Sequence, residues 1–256
     1  MNNVKKNINY LFIICGIISL FIAFSALSPP AHAAESTATA KAKLSKYLLT
    51  NIRNHKTKIN VKNYNTKFLN TYNARWNFYL DFLLNNPDCL CIKEDTTGFS
   101  YTYDKNNKIT EIGVKYKVSQ KTFKTRKQQY TKVLNNIVKN AKKKKKVKDR
   151  IISVNNQICK RTSYSYLNFG YERDIYGTLV KKNAVCMGYA ISFKAAMDKL
   201  KIPCKFELTK SGDHVWNKVK VGKTWYAVDV TWNDVYNTKY YLLIKKHPRS
   251  GKQKSF

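Results

Sequence analysis

Three side chains in this 256-residue sequence are of the types that together perform covalent catalysis: Cys186, His214 and Asp229, in that order along the chain. A carboxylate on one imidazole nitrogen fixes the tautomer and leaves the other nitrogen to take a proton from a thiol. The resulting thiolate attacks acyl carbon. Cys186 opens an apolar stripe continued by Tyr189, Ala190, Phe193, Ala196, Met197 and Leu200, which predicts an amphipathic helix over residues 183–200 with the cysteine in its first turn. Unpaired amides and the positive end of the helix dipole favour a thiolate at such a position. The Cys186 amide is one candidate oxyanion donor, and no residue type identifies the second. Gly188 would let another backbone or a substrate come close.

The other two residues fall on a predicted hairpin. Gly222-Lys223 suits a two-residue turn between strands at 214–221 and 224–230. With Val221 facing Thr224, Trp216 faces Asp229 and His214 faces Thr231. All four then share one sheet face, and His214 is a diagonal neighbour of Asp229 within reach of its side chain. Each residue taken singly has a plainer reading: a core cysteine, a surface or satisfied histidine, a strand-end carboxylate, core tryptophans at 216, 225 and 232. Their conjunction is what favours chemistry.

Stepping outward, residues 34–42 read as a tether without periodicity, and 44–52 and 68–84 read as helices. Alternation at 99–103 and 109–116 around Asp104-Lys105-Asn106-Asn107 predicts a β-hairpin. A helix follows at 122–139, and Val147, Ile151, Val154 and Ile158 mark one face of another. Pro203 precedes a strand at 204–209, and Ser211-Gly212-Asp213 makes a turn before His214. The expected division is a leader at 1–34, an α+β region at 35–118, a basic helical linker at 119–146 and a catalytic domain at 147–256.

The leader carries Lys5 and Lys6, an uncharged apolar stretch at 11–27 and the small-x-small signal Ala31-His32-Ala33, so export with cleavage after Ala33 or Ala34 is expected. A retained anchor is the alternative, since the apolar stretch approaches spanning length; Cys15 lacks the preceding small residue of a lipidated cysteine. No second such stretch follows. Five cysteines remain in the mature chain, an odd number that leaves at least one thiol unpaired. Cys89 and Cys91 read as core or disulfide-linked rather than as a zinc site, because no second ligand pair stands at a suitable spacing. The formal charge of +33 is mostly lysine spread among asparagines, with its densest run at 142–146. It points to a solvated basic surface able to meet anionic cell-wall polymer, lipid head groups or acidic protein. No zinc-finger, helix-turn-helix or RNA-binding signature accompanies the lysines, so nucleic acid is not the expected partner.

The stretches Tyr176-Gly177-Thr178-Leu179-Val180, Val185-Cys186-Met187-Gly188-Tyr189-Ala190, Gly212-Asp213-His214-Val215-Trp216-Asn217 and Trp225-Tyr226-Ala227-Val228-Asp229-Val230-Thr231-Trp232-Asn233-Asp234 resemble the transglutaminase-like superfamily of secreted bacterial proteins. The resemblance covers about residues 147–241. It implies an α+β, papain-like core with a nucleophile helix packed on an antiparallel sheet. Cys186 would be nucleophile, His214 general base and acid, and Asp229 the residue orienting the histidine. Gly188, Trp216, Asn217, Trp232 and Asp234 would support them, with no metal or organic cofactor. The short basic tail after Leu243 leads to the expectation of a less completely closed fold. The resulting reading is a secreted or cell-surface cysteine-dependent acyl-transfer enzyme acting on protein or peptide through a thioester, as protease, amidase or transglutaminase. The rivals are a non-catalytic basic module binding anionic polymer and a nucleic-acid binder.

Overall fold

The computed structural model describes residues 35–93 and 98–250. The leader therefore lies outside the described residues. The described residues from Ala40 onward belong to one compact unit. In chain order the elements are α1 (Thr37–Arg53), β1 (Lys58–Asn60), α2 (Tyr72–Asn85), β2 (Phe99–Tyr103), β3 (Ile109–Val114), α3 (Gln120–Lys142), α4 (Val147–Arg161), β4 (Ser163–Tyr164), β5 (Asn183–Ala184), α5 (Cys186–Lys199), β6 (Cys204–Leu208), β7 (Val215–Val221), β8 (Thr224–Val228), α6 (Val230–Val235) and β9 (Leu242–Ile244).

The expected tether at 34–42 is corrected: α1 begins at Thr37, because Ala40, Leu44, Leu48 and Ile52 recur every four residues and bury one face. The region before α3 contains the expected hairpin, β2 against β3, joined by a third strand, β1, that the sequence did not announce. Three residues are too few for alternation to be read. Asp104 shapes the turn by accepting from the amides of Asn106 and Lys108. Ser119 caps α3 through the amide of Thr122.

The arrangement that matters for the site is α5 packed between helices and a sheet. On one side lie α3 and α4, the latter burying Ile151, Val154 and Ile158. On the other lies an antiparallel sheet in the order β6-β7-β8-β9. Being covered on several sides, α5 is apolar over most of its circumference, burying Gly188 through Phe193 and Ala195 through Met197. The α+β class is thus what the chain folds into. At the edge of this sheet β9 pairs antiparallel with β8.

The hairpin register is the one the turn predicts: Val221 pairs with Thr224, Lys220 with Trp225, and so on out to Asn217 with Val228. Gly222 holds φ at +59°, the positive value a tight hairpin turn needs at its first central position. A Cβ there would meet nothing within 4 Å, so substitution is opposed by backbone strain alone. Gly222→Ala should lower the unfolding free energy by about 1 kcal/mol in a urea titration while leaving the slope with denaturant unchanged.

Candidate active site

Cys186 is the first residue of α5, and its place is set by the segment before it. Asn183 and Ala184 are spent in β5, which pairs in parallel with β4, so the helix starts with the stripe at Cys186, three residues later than the expected bound at 183. Val185 then donates to the carbonyl of Glu172 at 2.9 Å. The same carbonyl explains Gly188: a Cβ at that position would lie 2.6 Å from it and 2.7 Å from the Thr178 hydroxyl. The close approach that glycine permits is therefore to the chain's own backbone. It seats the first turn of α5 against the 172–178 segment, with the cysteine half-buried at its tip.

His214 immediately precedes β7, and Asp229 immediately follows β8, so the hairpin carries both to one end of the sheet. Strand pairing stops at Val228 because Asp229 begins α6, accepting from the Trp232 amide with Oδ1 at 3.0 Å. The expected facing of His214 and Thr231 does not form, since Thr231 is already helical, but the diagonal contact does. His214 Nε2 donates to Asp229 Oδ2 at 2.6 Å. Cys186 lies near enough to the same imidazole to raise its pKa, and with Nε2 taken by the carboxylate, Nδ1 is the nitrogen left for the thiol.

Electrostatics follow from this chain of contacts. Burial by itself would disfavour the His214 imidazolium, but its interactions with Asp229 and Cys186 outweigh it and raise its pKa to about 9. Burial likewise opposes the Asp229 carboxylate, yet the donors on it hold its pKa below the ordinary value. Because the His214 pKa is raised above 6.5, its contribution to stability is complete below pH 6.5 and is lost as pH rises through about 9.

Aromatic rings enclose the pair. Trp232 stacks on His214 with centroids 5.0 Å apart, and Trp216 is buried beneath, its indole N–H donating to Glu207 at 3.1 Å. Asp234 does not touch the triad; it accepts from the Tyr189 hydroxyl and so ties α6 to α5 one turn beyond Cys186. Asn217 is corrected. It is one residue out of step with His214 and Trp216, so its side chain is buried on the opposite face of β7, beside Cys204.

One site residue escaped the sequence reading altogether. His247, in the segment after β9, is fully buried and lies 3.1 Å from Asp229 Oδ2. Its ring stacks on Trp216 at 4.1 Å. The available signal was compositional: His is scarce, four in the whole chain, and one stands in a lysine-rich stretch otherwise suited to solvent. His214, Asp229 and His247 also form a cluster of metal-ligating types, with ligand atoms within 4.8 Å of one another, but both imidazoles are engaged as donors to the shared carboxylate oxygen.

None of the five cysteines at 89, 91, 159, 186 and 204 is in a disulfide. Cys89 and Cys91 are core residues, so the disulfide alternative for them is not what forms. Burial pushes the thiol of Cys89 well up, those of Cys91 and Cys159 to about 12, and that of Cys204 upward as well.

Residues 131–230 match the family model described as the transglutaminase-like superfamily, and this segment includes Cys186, His214 and Asp229. Residues 131–230 are thus a transglutaminase-like segment, set in a chain of the α+β class. No curated protein matches the chain. Among solved structures, one described as a TGase aligns at 17% identity and a TM-score of 0.37, over 52% of this chain and 44% of its own. A candidate cysteine protease from Cytophaga hutchinsonii aligns at 18% and 0.34, over 50% and 47%. A candidate protease from Parabacteroides distasonis aligns at 10% and 0.32, over 54% and 34%. The chain spans less than half the length of each.

Two outcomes are expected. Iodoacetamide at neutral pH should modify one cysteine of the folded protein, Cys186, read by peptide mass mapping, with the other four protected until denaturant is added. Gly188→Ala should cost about 1–3 kcal/mol in thermal or chemical unfolding and slow that labelling, because the Glu172 carbonyl must yield.

Proposed function

We propose that the protein is an exported cysteine-dependent acyl-transfer enzyme acting on carboxamide or peptide groups of a polypeptide. The observation that carries this reading is the hydrogen-bonded pair His214–Asp229 with the thiol of Cys186, at the start of α5, beside the imidazole. The Cys186 proton resides on His214 Nδ1 before attack, in keeping with the raised pKa of that imidazole; Cys186 Sγ then attacks the carbonyl carbon, and the carbonyl π pair moves to oxygen. The amides opening α5 are outside the helical ladder and supply donors to that oxyanion. As the oxyanion collapses the C–N bond breaks, His214 returns the proton to the departing nitrogen, and a thioester remains on Cys186. Water or an amine then attacks the thioester while His214 takes the proton from it. The C–S bond breaks, the sulfur leaves as the thiolate beside the protonated His214, and the product is an acid or a new amide. Asp229 holds the tautomer and balances the imidazolium throughout.

A polypeptide donor is favoured by what surrounds the thiol. The loop 166–171 is closed at both ends against the two residues before Cys186, through Ser165 N–H to Ala184 O at 2.8 Å and Val185 N–H to Glu172 O at 2.9 Å. It is rigidified by the Glu172 carboxylate, which accepts from the amides of Phe169 and Tyr171, yet it presents Tyr166 at 85% and Leu167 at 65% exposure. Beyond Trp232, Tyr236 and Tyr240 are similarly exposed. Apolar side chains on both flanks of a nucleophile suit an extended peptide with bulky residues near the reactive carbonyl. No helix among the described residues is long and apolar enough to cross a membrane; export rests on the leader sequence. The exposed lysines at 142–146 favour the additional reading that anionic cell-wall polymer retains the protein by charge, an attraction that salt would weaken.

Ammonia release from a glutamine-containing peptide, measured with and without an added primary amine, tests the reaction. Ammonia alone marks an amidase, amine incorporation a transglutaminase, and new amino termini a protease; none of these from a chain whose Cys186 also labels slowly would leave only the polymer-binding role. The proton on His214 is needed to expel the leaving nitrogen, so kcat/KM should fall as pH rises through about 9. Asp229→Asn should move that fall to lower pH and reduce kcat/KM by about 10²-fold or more.

A further inference from the structure

We propose that His247 is a positioning residue: a neutral imidazole, fixed as its Nε2–H tautomer, whose donation to Asp229 limits how strongly that carboxylate holds the proton of His214. The proposal rests on the reading of Cys186 and His214 as a catalytic pair.

The tautomer follows from the two neighbours of the ring. Nδ1 of His247 accepts from the backbone amide of Arg249 at 3.2 Å, so that nitrogen carries no hydrogen. The single ring proton is then on Nε2, which donates to Asp229 Oδ2 at 3.1 Å. The ring has no freedom to exchange these roles. It is fully buried, lies flat on Trp216 at 4.1 Å and 18°, and meets Trp232 at 4.7 Å.

The oxygen it reaches is the one that binds His214 at 2.6 Å. One carboxylate oxygen thus serves two imidazoles, while Oδ1 is occupied by the Trp232 amide at 3.0 Å. A hydrogen bond to the charged form of a carboxylate stabilises that charge and weakens its pull on any other proton. Without His247, the whole of Oδ2 would face His214, and the imidazolium would be held more tightly. The other titratable or charged groups around the pair are Cys186 on α5, Cys159 on α4, Tyr241 with its ring 5.9 Å from that of His247, Glu207 behind Trp216, and the ion pair of Asp213 with Arg249 at 2.8 Å. That ion pair joins the residue before His214 to the residue two beyond His247. The segment after β9 therefore straps the His214 end of the sheet at two points.

The same geometry separates His247 from Asp229 in the direction of its effect. Loss of the Asp229 charge releases the His214 proton earlier, whereas loss of the His247 donor retains it longer. A residue that only filled space would not move the titration in this way.

The test uses the full chain, labelled for observation of imidazole carbon and nitrogen resonances. In the wild-type protein His247 should show an Nε2–H, Nδ1-acceptor pattern across the pH range in which His214 titrates; an Nδ1–H pattern, or an imidazolium at neutral pH, overturns the proposal. His247→Leu should raise the His214 midpoint by about half a unit to one unit, roughly three- to tenfold in the proton equilibrium. His247→Gln, which keeps an N–H donor, should restore most of the wild-type value. An unchanged midpoint in a folded His247→Leu variant, or a His247→Gln variant that titrates like His247→Leu, assigns His247 to packing and overturns the proposal. Should His247→Leu not fold, the wild-type tautomer and the His247→Gln midpoint still decide. Neither resonance measurement needs a substrate, so slow, pH-insensitive alkylation of Cys186 alongside the expected His247 tautomer would mean that the catalytic reading fails by itself.

Discussion

The contact on which the site depends is the 2.6 Å hydrogen bond between His214 and Asp229, made where both residues are nearly sealed from water. Placing a carboxylate there is costly, and breaking such a pair by removing one partner typically costs about 3–5 kcal/mol because a bare charge is left behind. The surrounding structure reads as the means of offsetting that cost. Asp229 receives donors from His214, His247 and the start of α6, so its charge is hydrogen-bonded on both oxygens. The Trp216 and Trp232 rings shut out solvent without adding charge.

From that contact the architecture follows outward. An antiparallel hairpin with a two-residue turn brings His214 and Asp229 together at one end, and its register leaves their side chains diagonal. The thiol must then arrive from a separate element held at fixed height. The α5 helix does this by burying most of its surface between α3, α4 and the sheet, so that its first turn has nowhere to slide. Gly188 and the Glu172 carbonyl set the final seating.

Much of this was legible because the interactions concerned are local. The turn at Gly222 fixes a register two residues at a time, and the α4 stripe repeats with the period of a helix. The pattern failed where a local rule met a tertiary competitor. The helix was expected from Asn183, but pairing with β4 claimed that residue for a strand. Asp229 was read as part of a strand, yet its capping of α6 turns the chain away at that point. Asn217 belongs to the recognised sequence pattern but, by the alternation of a strand, lies on the face away from His214. The lysine-rich segment after β9 read as a solvated tail because lysine is abundant everywhere in this chain, which masked the single histidine within it.

By itself the sequence determined the helix that begins near Cys186 and the hairpin that joins His214 to Asp229. These depend on periodicity and turn geometry, which act over a few residues. Only the tertiary structure decided that α1 extends into the supposed tether, that the five thiols stay unpaired, and that His247 shares the oxygen of Asp229 with His214. Those outcomes rest on which distant segments fill the same buried volume, and no pattern confined to neighbours along the chain records that.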